Sequence, residues 1–245
     1  MGNSRADIIQ QLQRSILSLG GLASAPKGST MPMGQAFWKH HFPDGTLPTG
    51  AVHEFLGTTQ EDMTTTSGFI AALIAACLPQ YGATVWISPE PLIFPPALCA
   101  YKMEPHQVIF IHPSNEKDLL WTTEEALKCG GLRAVIAETK DLGAMPSRRL
   151  QLAVEKSRVT GFLLNHTRGN PIANNCVSRW KVTAAPSITE DELPGLGHPR
   201  WDVELRKIRN GKPGKWTLEW SGEGFVHVSR QFEIPKEEQG HKLTG

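Results

Sequence analysis

The stretch VHEFLGTTQEDMTTTSGFIAALIAACLP, residues 52–79, decides the fold class of this chain. A short apolar run ends at Gly57, a small polar loop follows, and an apolar segment with the length of a helix comes next. A strand, a glycine-led loop and a helix in this order have the outline of a phosphate-binding loop. Whether such a loop binds a nucleotide depends on the charge and size of its side chains.

Two residues of this loop argue against phosphate binding. Gly57 is the first glycine of the pattern G-x-x-x-x-G-K-S/T, and Thr64 takes its hydroxyl position. Asp62 replaces the second glycine and sets a carboxylate beside a polyanion; two unit charges at about 4 Å repel by roughly 4 kcal/mol at an effective dielectric near 20. Met63 replaces the lysine that contacts the β- and γ-phosphates. The loop is therefore expected neither to bind nor to hydrolyse ATP.

The composition is that of an ordinary globular protein without a strong electrostatic bias. The chain has 245 residues, of which 40% are hydrophobic and 20% charged, and its formal net charge is +1. DNA binding would therefore require a local basic patch. The longest apolar run, residues 69–78, is shorter than the roughly 18 residues of a membrane span, so no membrane association is predicted. The four widely spaced cysteines indicate free thiols and a cytoplasmic protein.

The central part of the chain alternates between apolar strands and helical segments. Strands are predicted near 51–56, 83–88, 107–111, 132–137 and 160–165, and helices near 66–78, 93–102, 116–129 and 146–157. This alternation predicts an α/β fold with a mostly parallel sheet flanked by helices on both faces. The strand patterns after residue 165 and the turn NGKPG at 210–214 predict an antiparallel C-terminal extension.

The predicted organisation has four parts. They are an N-terminal helix and linker at 1–45, a core at 46–175, the antiparallel extension at 176–233 and a disordered tail at 234–245. Apolar residues at helical spacing within residues 6–19 indicate the helix. It either packs on its own core or docks on a partner.

Arg148 and Arg149 are candidate contacts for a partner or for DNA. They follow Ser147, which is predicted to cap a helix, and cations near a helix start oppose its dipole. A partner or an acidic neighbour would compensate. The alternative is that one arginine pairs within the protein while the other is solvated.

Five basic residues of the C-terminal extension form a second candidate surface. Strand alternation places Lys207 and Arg209 on one face and Arg206 on the other, with Lys212 and Lys215 at or beside the turn. Such a cluster suits an anionic partner such as the DNA backbone. The alternative is an exposed edge hairpin whose lysines prevent aggregation.

Tryptophans concentrate in the same extension, at Trp180, Trp201, Trp216 and Trp220. Tryptophan is frequent at energetically important interface positions. Trp201 and Trp216 are therefore candidate partner contacts, and the alternative is the core of a small sheet. His53 and Glu54 begin an H-E pair, but no second histidine follows four residues on, so no metal site is predicted.

Two strands resemble conserved parts of RecA recombinases. The stretch VWISPEPLIFPPALCAYKMEP, residues 85–105, is similar to the second core strand and following helix, and Glu90 matches the catalytic glutamate. RAVIAETKDL, residues 133–142, looks like a Walker B strand, with Glu138 at the acidic position. The resemblance implies a RecA-like core in which Glu90 and Glu138 are vestigial acids.

A narrower resemblance covers residues 46–220. Its motifs are LPTGAVHEFLG, DLLWTTEEALKCGGLRAVIAE, SRRLQLAVEKSRVTGFLL, VSRWKVTAAPS and WDVELRKIRNGKPGKWTLEW. Five motifs in this order resemble the ImuA family, RecA-like accessory proteins of bacterial inducible mutagenesis.

The resemblance implies a non-catalytic adaptor without a cofactor. Its expected partners are ImuB, an inactive relative of Y-family polymerases, and RecA, with an error-prone replicative-type polymerase engaged indirectly during the SOS response. The C-terminal part is expected to bind ImuB. Two alternatives remain open: a RecA-like ATPase with a degenerate phosphate loop, and a protein that binds DNA directly.

Overall fold

The computed structural model describes residues 37–43, 45–167, 169–187 and 197–228. The predicted N-terminal helix at 6–19 and the predicted disordered tail at 234–245 lie outside these residues.

One sheet of nine strands organises the described chain. The strands are β1 Val52–Gly57, β2 Ala83–Ile87, β3 Val108–Ile111, β4 Leu132–Lys140, β5 Thr160–His166, β6 Ser178–Ala185, β7 Arg200–Ile208, β8 Gly214–Trp220 and β9 Phe225–His227. Their spatial order is β3-β2-β4-β5-β1-β6-β7-β8-β9. The pairs from β3 to β6 are parallel, and those from β6 to β9 are antiparallel. The predicted mostly parallel α/β sheet with an antiparallel C-terminal extension is confirmed.

Among the described residues, three α-helices flank the sheet: α1 Gln60–Cys77, α2 Glu116–Lys128 and α3 Ala144–Ser157. The segment predicted as helical near 93–102 is a 3-10 helix, Pro95–Tyr101, that begins with two prolines. This helix ends at Lys102, whose backbone is in the left-handed conformation. With only seven residues, the helix is too short to form the long amphipathic face of an α-helix.

The sheet separates two apolar layers. One layer holds α1 residues together with Phe55, Trp86 and Phe162, whereas α2 and α3 bury residues such as Leu119 and Val154 against the opposite face. Every residue of β1 is buried, as expected for a central parallel strand covered on both faces.

The C-terminal strands continue the main sheet beyond the predicted boundary at 175/176. Strand β6 pairs in parallel with β1 on one side and antiparallel with β7 on the other. The inward-facing residues of β6–β9 join the same apolar layer as α1. The core and the extension therefore share one hydrophobic layer.

Residues 37–43, predicted as part of a linker, also belong to this layer. Trp38 is fully buried and packs edge-on against Trp180 and Trp216, with ring centroids 6.5 and 6.3 Å away. Phe42 packs on Trp180 as well. The aromatic face of β6–β9 extends past α1, and this segment covers it, because an apolar sheet face needs a second layer.

Candidate functional site

Loops at the carboxyl ends of parallel strands meet at one edge of the sheet, which we call the carboxyl edge. A cavity of about 340 Å³ opens there. It is lined by Gln60, Met63, Pro89, Glu90, Leu92, Glu138, Thr139, Lys140, Asp141 and His166. The structure thus brings the predicted loop and both predicted vestigial acids to one place.

The connection between β1 and α1 is too short for a phosphate cradle. Only Thr58 and Thr59 separate the two elements. Thr59 caps the helix by accepting a hydrogen bond from the Asp62 N–H at 3.0 Å, and Asp62 accepts from the Thr59 N–H at 3.2 Å. This reciprocal capping box starts α1 at Gln60, six residues before the start predicted near 66.

The Asp62 carboxylate accepts the hydrogen bonds that a bound anion would accept in a phosphate-binding loop. Its Oδ2 accepts from the Thr58 N–H at 2.9 Å and from the Thr58 hydroxyl at 2.8 Å, besides the Thr59 N–H. Burial opposes ionisation, but the hydrogen bonds from Thr58 and Thr59 outweigh it and lower the pKa of Asp62 below its usual value. The N–H groups of Thr58, Thr59 and Asp62 are therefore satisfied by the protein itself.

The side chains of Met63 and Thr64 are also not available to bind a nucleotide phosphate or its metal ion. Met63 is buried, and a Cβ added to Gly57 would lie 2.7 Å from its Sδ, so the side chain fills the space over the glycine. The Thr64 hydroxyl donates to the Gln60 carbonyl at 3.0 Å within α1. These contacts leave neither side chain free to contact a phosphate, and the loss of nucleotide binding stays a prediction.

The predicted vestigial acids, Glu90 and Glu138, line the cavity from the loop after β2 and from β4. Glu138 accepts a hydrogen bond from the Trp86 indole N–H at 3.2 Å. Burial, together with the charge of Glu90, raises the pKa of Glu138, while the Trp86 bond and His112 act against that rise. Glu90 is exposed.

A buried polar network beside this cavity was missed by the sequence analysis. Glu54 is fully buried in β1 and accepts from Asn165 Nδ2 at 2.7 Å and from Arg179 Nε at 2.5 Å. Arg179 also donates to the Ile172 carbonyl at 2.6 Å, and Asn165 accepts from the Leu142 N–H at 3.1 Å. The sequence signal that could have identified this network is Glu54, a glutamate inside a mostly apolar strand. The network ties β1, β5 and β6 to the loops at the carboxyl edge.

The predicted cap of α3 is wrong. The helix begins at Ala144 after Gly143, and Ser147 lies inside its first turns, where its hydroxyl donates to the Ala144 carbonyl at 3.0 Å. Both arginines are exposed, and Arg149 forms an ion pair with Glu124 of α2. One of the two arginines therefore pairs within the protein.

The predicted placement of Arg206 on the face opposite Lys207 is wrong, whereas Lys207 and Arg209 are both exposed on either side of the buried Ile208. The register of β6 with β7 shifts so that Arg179 faces Lys207 while Trp180 faces Leu205. Arg206 is the extra residue of this β-bulge, and both Arg206 and Lys207 are exposed. The alternation on which the sequence prediction relied is interrupted there.

Intramolecular partners occupy most of the predicted basic cluster. Glu204 accepts from Arg206 Nε and from Lys215 Nζ, each at 3.0 Å. Lys207 Nζ lies 3.4 Å from the Asn174 carbonyl, and Arg209 Nη2 lies 3.3 Å from the Asn175 carbonyl. The carboxylate and the carbonyl groups reduce the attraction of this surface for phosphate.

Trp201 and Trp216 are core residues rather than surface contacts. Trp201 is 3% and Trp216 8% exposed, and both join the apolar layer that contains Trp38. The rings are buried because inward positions of β7 and β8 face α1 and the segment 37–43. A partner would have to unpack the core to reach them, so the predicted contact role is replaced by a structural one.

Within the described residues, no three histidine, cysteine or acidic side chains cluster in a way that could hold a metal ion. The helices of this part of the chain are also too short or too polar to cross a membrane.

Comparison with known proteins gives a consistent picture. No protein-family model matches the sequence. Protein ImuA from each of two strains of Caulobacter vibrioides is 33% identical over 216 residues, which cover 83% of this chain and 87% of the relative. The crystal structure of the RadB recombinase matches 82% of this chain and 100% of its own, with a TM-score of 0.54 at 13% sequence identity. At that identity the likeness establishes the fold, which is RecA-like.

Proposed function

This chain belongs to the ImuA family, and from that premise we propose that it is a non-catalytic adaptor in error-prone translesion DNA synthesis. A RecA-like accessory protein fits both the family and the fold. In this proposal the chain holds an ImuB-like inactive polymerase relative and RecA together, and engages the error-prone replicative-type polymerase indirectly.

The observation that carries the non-catalytic role is the closed loop after β1. The Asp62 carboxylate takes the N–H groups of Thr58 and Thr59, and Met63 fills the space over Gly57. Phosphate would have to displace a carboxylate that is already hydrogen-bonded and negatively charged. These two features support a loop that does not hold a nucleotide.

We place the ImuB contact on the C-terminal strands, as the family resemblance implies. Most side chains of β6, β7 and β8 that point away from α1 are polar and at least partly exposed. They surround a depression of about 550 Å³ that includes Lys181, Asp202, Glu204, Lys215 and Thr217. A face with both charges suits a specific protein partner better than a polyanion.

Charge reversal on this face tests the adaptor role. We expect the double variant Lys181→Glu, Lys215→Glu to retain at least tenfold less of the ImuB-like partner in co-purification than the wild type does. Lys156→Glu is the matched control, because Lys156 is exposed on α3, outside the C-terminal strands. Unchanged retention by the double variant would overturn the proposed contact, and no retention by the wild type would overturn the partnership itself.

Calorimetry with ATP and Mg²⁺ tests the non-catalytic part separately. The protein concentration should be high enough to detect a Kd of about 100 µM, or roughly −5.5 kcal/mol, which is the weak affinity expected of a damaged phosphate site. We expect no saturable heat. Saturable binding would favour the alternative of a nucleotide-dependent protein.

A further inference from the structure

We propose that the outer face shared by α2 and α3 binds an acidic amphipathic helix of a protein partner. This inference rests on the adaptor function proposed above, because a protein that holds two partners together needs a second surface besides the C-terminal strands. We call this surface the outer helix face and define it by Trp121 of α2 and by Met145 and Leu152 of α3.

Three large apolar side chains are exposed on the outer helix face. Trp121 is 60% exposed, and Met145 and Leu152 are 74% and 51% exposed. The opposite sides of both helices are buried in the apolar layer against the sheet, so these three side chains point to solvent. An exposed tryptophan together with other exposed apolar side chains is typical of a protein contact.

One ion pair shows that these side chains belong to a single surface. Glu124 of α2 pairs with Arg149 of α3. Trp121 lies three residues before the glutamate. Met145 lies four residues before the arginine, and Leu152 lies three residues after it. Residues three or four apart are neighbours on a helix, with about 5–6 Å between their Cβ atoms. The apolar side chains of both helices therefore border the same ion pair.

Two cations without an ion-pair partner lie beside the apolar side chains. Lys117 is four residues before Trp121, and Lys156 is four residues after Leu152, so each is one helical turn from an apolar neighbour. Both lysines are exposed, and neither forms an ion pair within the described part of the chain. At about 100° per residue, both point to the side on which α2 and α3 meet.

Acidic side chains do not neutralise these two lysines. The Glu124 carboxylate already binds Arg149 as well as Lys128. The other acids nearby lie on the sides of their helices that point away from this ion pair; they are Asp118, Glu125 and Glu155. The uncompensated charge beside the apolar residues is positive. Charge complementarity therefore requires an acidic partner, and the apolar side chains require that it is amphipathic.

The two ends of this chain do not supply such an occupant. Residues 1–36 carry three cations, Arg5, Arg14 and Lys27, against the single acid Asp7. Residues 229–245 carry three lysine or arginine residues and three glutamates, so this segment has no acidic excess. A second copy of the chain would present the same cationic surface in a symmetric contact. The acidic helix therefore comes from a different protein.

The test uses an acetylated helical peptide with leucine at positions i, i+3, i+4 and i+7 and glutamate at the other positions. The matched control peptide has lysine in place of every glutamate. The NMR signals of the Trp121 indole N–H and the Met145 methyl group in the full-length protein report occupancy. We expect saturable shifts with the acidic peptide, weakened by salt, and at least tenfold weaker binding of the basic peptide. Equal binding of both peptides, or no saturable shift, would overturn the proposal.

Charge reversal at exposed positions assigns the site. The double variant Lys117→Glu, Lys156→Glu should bind the acidic peptide at least tenfold more weakly, whereas arginine at both positions should preserve the affinity. The double variant Lys181→Glu, Lys215→Glu on the C-terminal strands is the control and should leave the peptide affinity unchanged. Wild-type affinity in the first double variant would show that the helices do not bind the peptide.

Two further measurements separate other occupants. The full-length triple variant Glu190→Gln, Asp191→Asn, Glu192→Gln neutralises the acidic stretch of this chain. We expect it to keep the Trp121 signal and the peptide affinity; a shifted signal with tighter peptide binding would show that the chain covers its own helices and would overturn the proposal. Phosphatidylserine vesicles should leave the Trp121 signal unchanged, and a shift with vesicles but not with the peptide would identify a membrane surface instead.

The outcomes separate this inference from the adaptor function. If the wild type retains the ImuB-like partner but the acidic peptide causes no saturable shift, the outer helix face is wrong and the adaptor stands. If the peptide binds but no ImuB-like partner is retained, the outer helix face stands and the proposed partner fails. Lys156→Glu alone should weaken the peptide while leaving retention of the ImuB-like partner unchanged, because the two partners use different surfaces.

Discussion

At the scale of single residues, Asp62 has two consequences that the sequence shows only in part. In the phosphate-loop pattern it is a replaced glycine, which predicts a lost function. In the structure its carboxylate is a hydrogen-bond acceptor that starts α1. The residue that removes the anion site thus stabilises the strand–helix junction.

Asp62→Ala should reduce the stability of the protein. It removes the acceptor for the Thr58 and Thr59 N–H groups, and loss of a helix cap typically costs about 1 kcal/mol, up to roughly 2 kcal/mol. Urea unfolding measures the difference. Glu61→Ala is the control, because Glu61 is exposed in the same turn. Equal effects of the two substitutions would contradict a specific capping role.

His53 is the second residue whose role depends on the folded environment. Its ring is fully buried, with Nδ1 at 2.6 Å from the Ser178 hydroxyl and Nε2 at 2.8 Å from the Pro48 carbonyl. Burial lowers the pKa of His53 from 6.5 to about 4, although the bond to Pro48 acts in the opposite direction. The ring is therefore neutral and structural at pH 7.

The protein should lose stability in acid through His53. Between pH 6.5 and about 4 the unfolded chain protonates this ring and the folded protein does not, so the stabilisation is complete above pH 6.5 and declines towards pH 4. The loss amounts to roughly 3 kcal/mol.

Chemical denaturation at several pH values measures this loss. His53→Asn should be less stable at pH 7 but should show a smaller decline between pH 6.5 and 4. His106→Asn, at an exposed position, should keep the wild-type decline. An unchanged decline in His53→Asn would show that other groups cause it.

At the scale of elements, the hairpin turn between β7 and β8 packs against residues 37–43 of the same chain. The Lys212 N–H donates to the His41 carbonyl at 2.9 Å, and His41 Nδ1 lies 2.9 Å from the Pro213 carbonyl. A Cβ on Gly211 would lie 2.2 Å from the His41 oxygen, and one on Gly214 would lie 2.7 Å from the His41 ring. Both glycines permit the turn to dock on residues 37–43.

Gly211→Ala should therefore displace this turn. The added methyl group meets a backbone oxygen, which cannot rotate away, and overpacking of this kind typically costs about 1–3 kcal/mol. Thermal unfolding measures the loss, and hydrogen exchange at Lys212 should become faster. Gly169→Ala has open space and serves as the control. A wild-type melting temperature in Gly211→Ala would contradict the close docking.

At the scale of the whole molecule, one aromatic layer joins parts of the chain that lie far apart in sequence. Trp38 contacts Trp180, Trp216 and Phe225, with ring centroids 5.7–6.5 Å apart. Phe69 of α1 contacts the same layer through Trp201 and Phe225. The C-terminal strands are therefore required for the fold as well as being a candidate partner surface.

A chain truncated after residue 195 should not fold cooperatively. It lacks β7–β9 and thus the side chains of Trp201, Trp216, Trp220 and Phe225, and loss of each such core aromatic typically costs about 3–5 kcal/mol. The sum exceeds or matches the roughly 5–15 kcal/mol of a whole domain. Circular dichroism during urea unfolding should show no sigmoidal transition.

A truncation after residue 228 is the matched control, since it retains every described strand. We expect it to unfold cooperatively. Cooperative unfolding of the shorter chain would show that β1–β6 form an independent unit. For this reason partner binding is better tested with surface substitutions than with deletions.

The sequence by itself determined the features that depend on local pattern. Mostly apolar runs placed β1 and β5 correctly, because a strand buried on both faces is rich in apolar side chains; the buried His53 and Glu54 of β1 are the exceptions. The same reading predicted a degenerate loop, since Asp62 and Met63 lack the chemistry of a phosphate site whatever their exact placement. The family resemblance followed from the order of the motifs.

Only the tertiary structure decided features that depend on pairing between distant residues. The bulge at Arg206 exists because β6 and β7 pair in a shifted register, and the burial of Trp216 depends on Trp38, 178 residues earlier in the chain. The start of α1 was missed because its first turn is polar and reads as a loop until the hydrogen bonds between Thr59 and Asp62 are known. The sequence pattern indicates whether a side chain lies on the buried or the exposed face of its element, whereas the tertiary packing determines which residues cover that face.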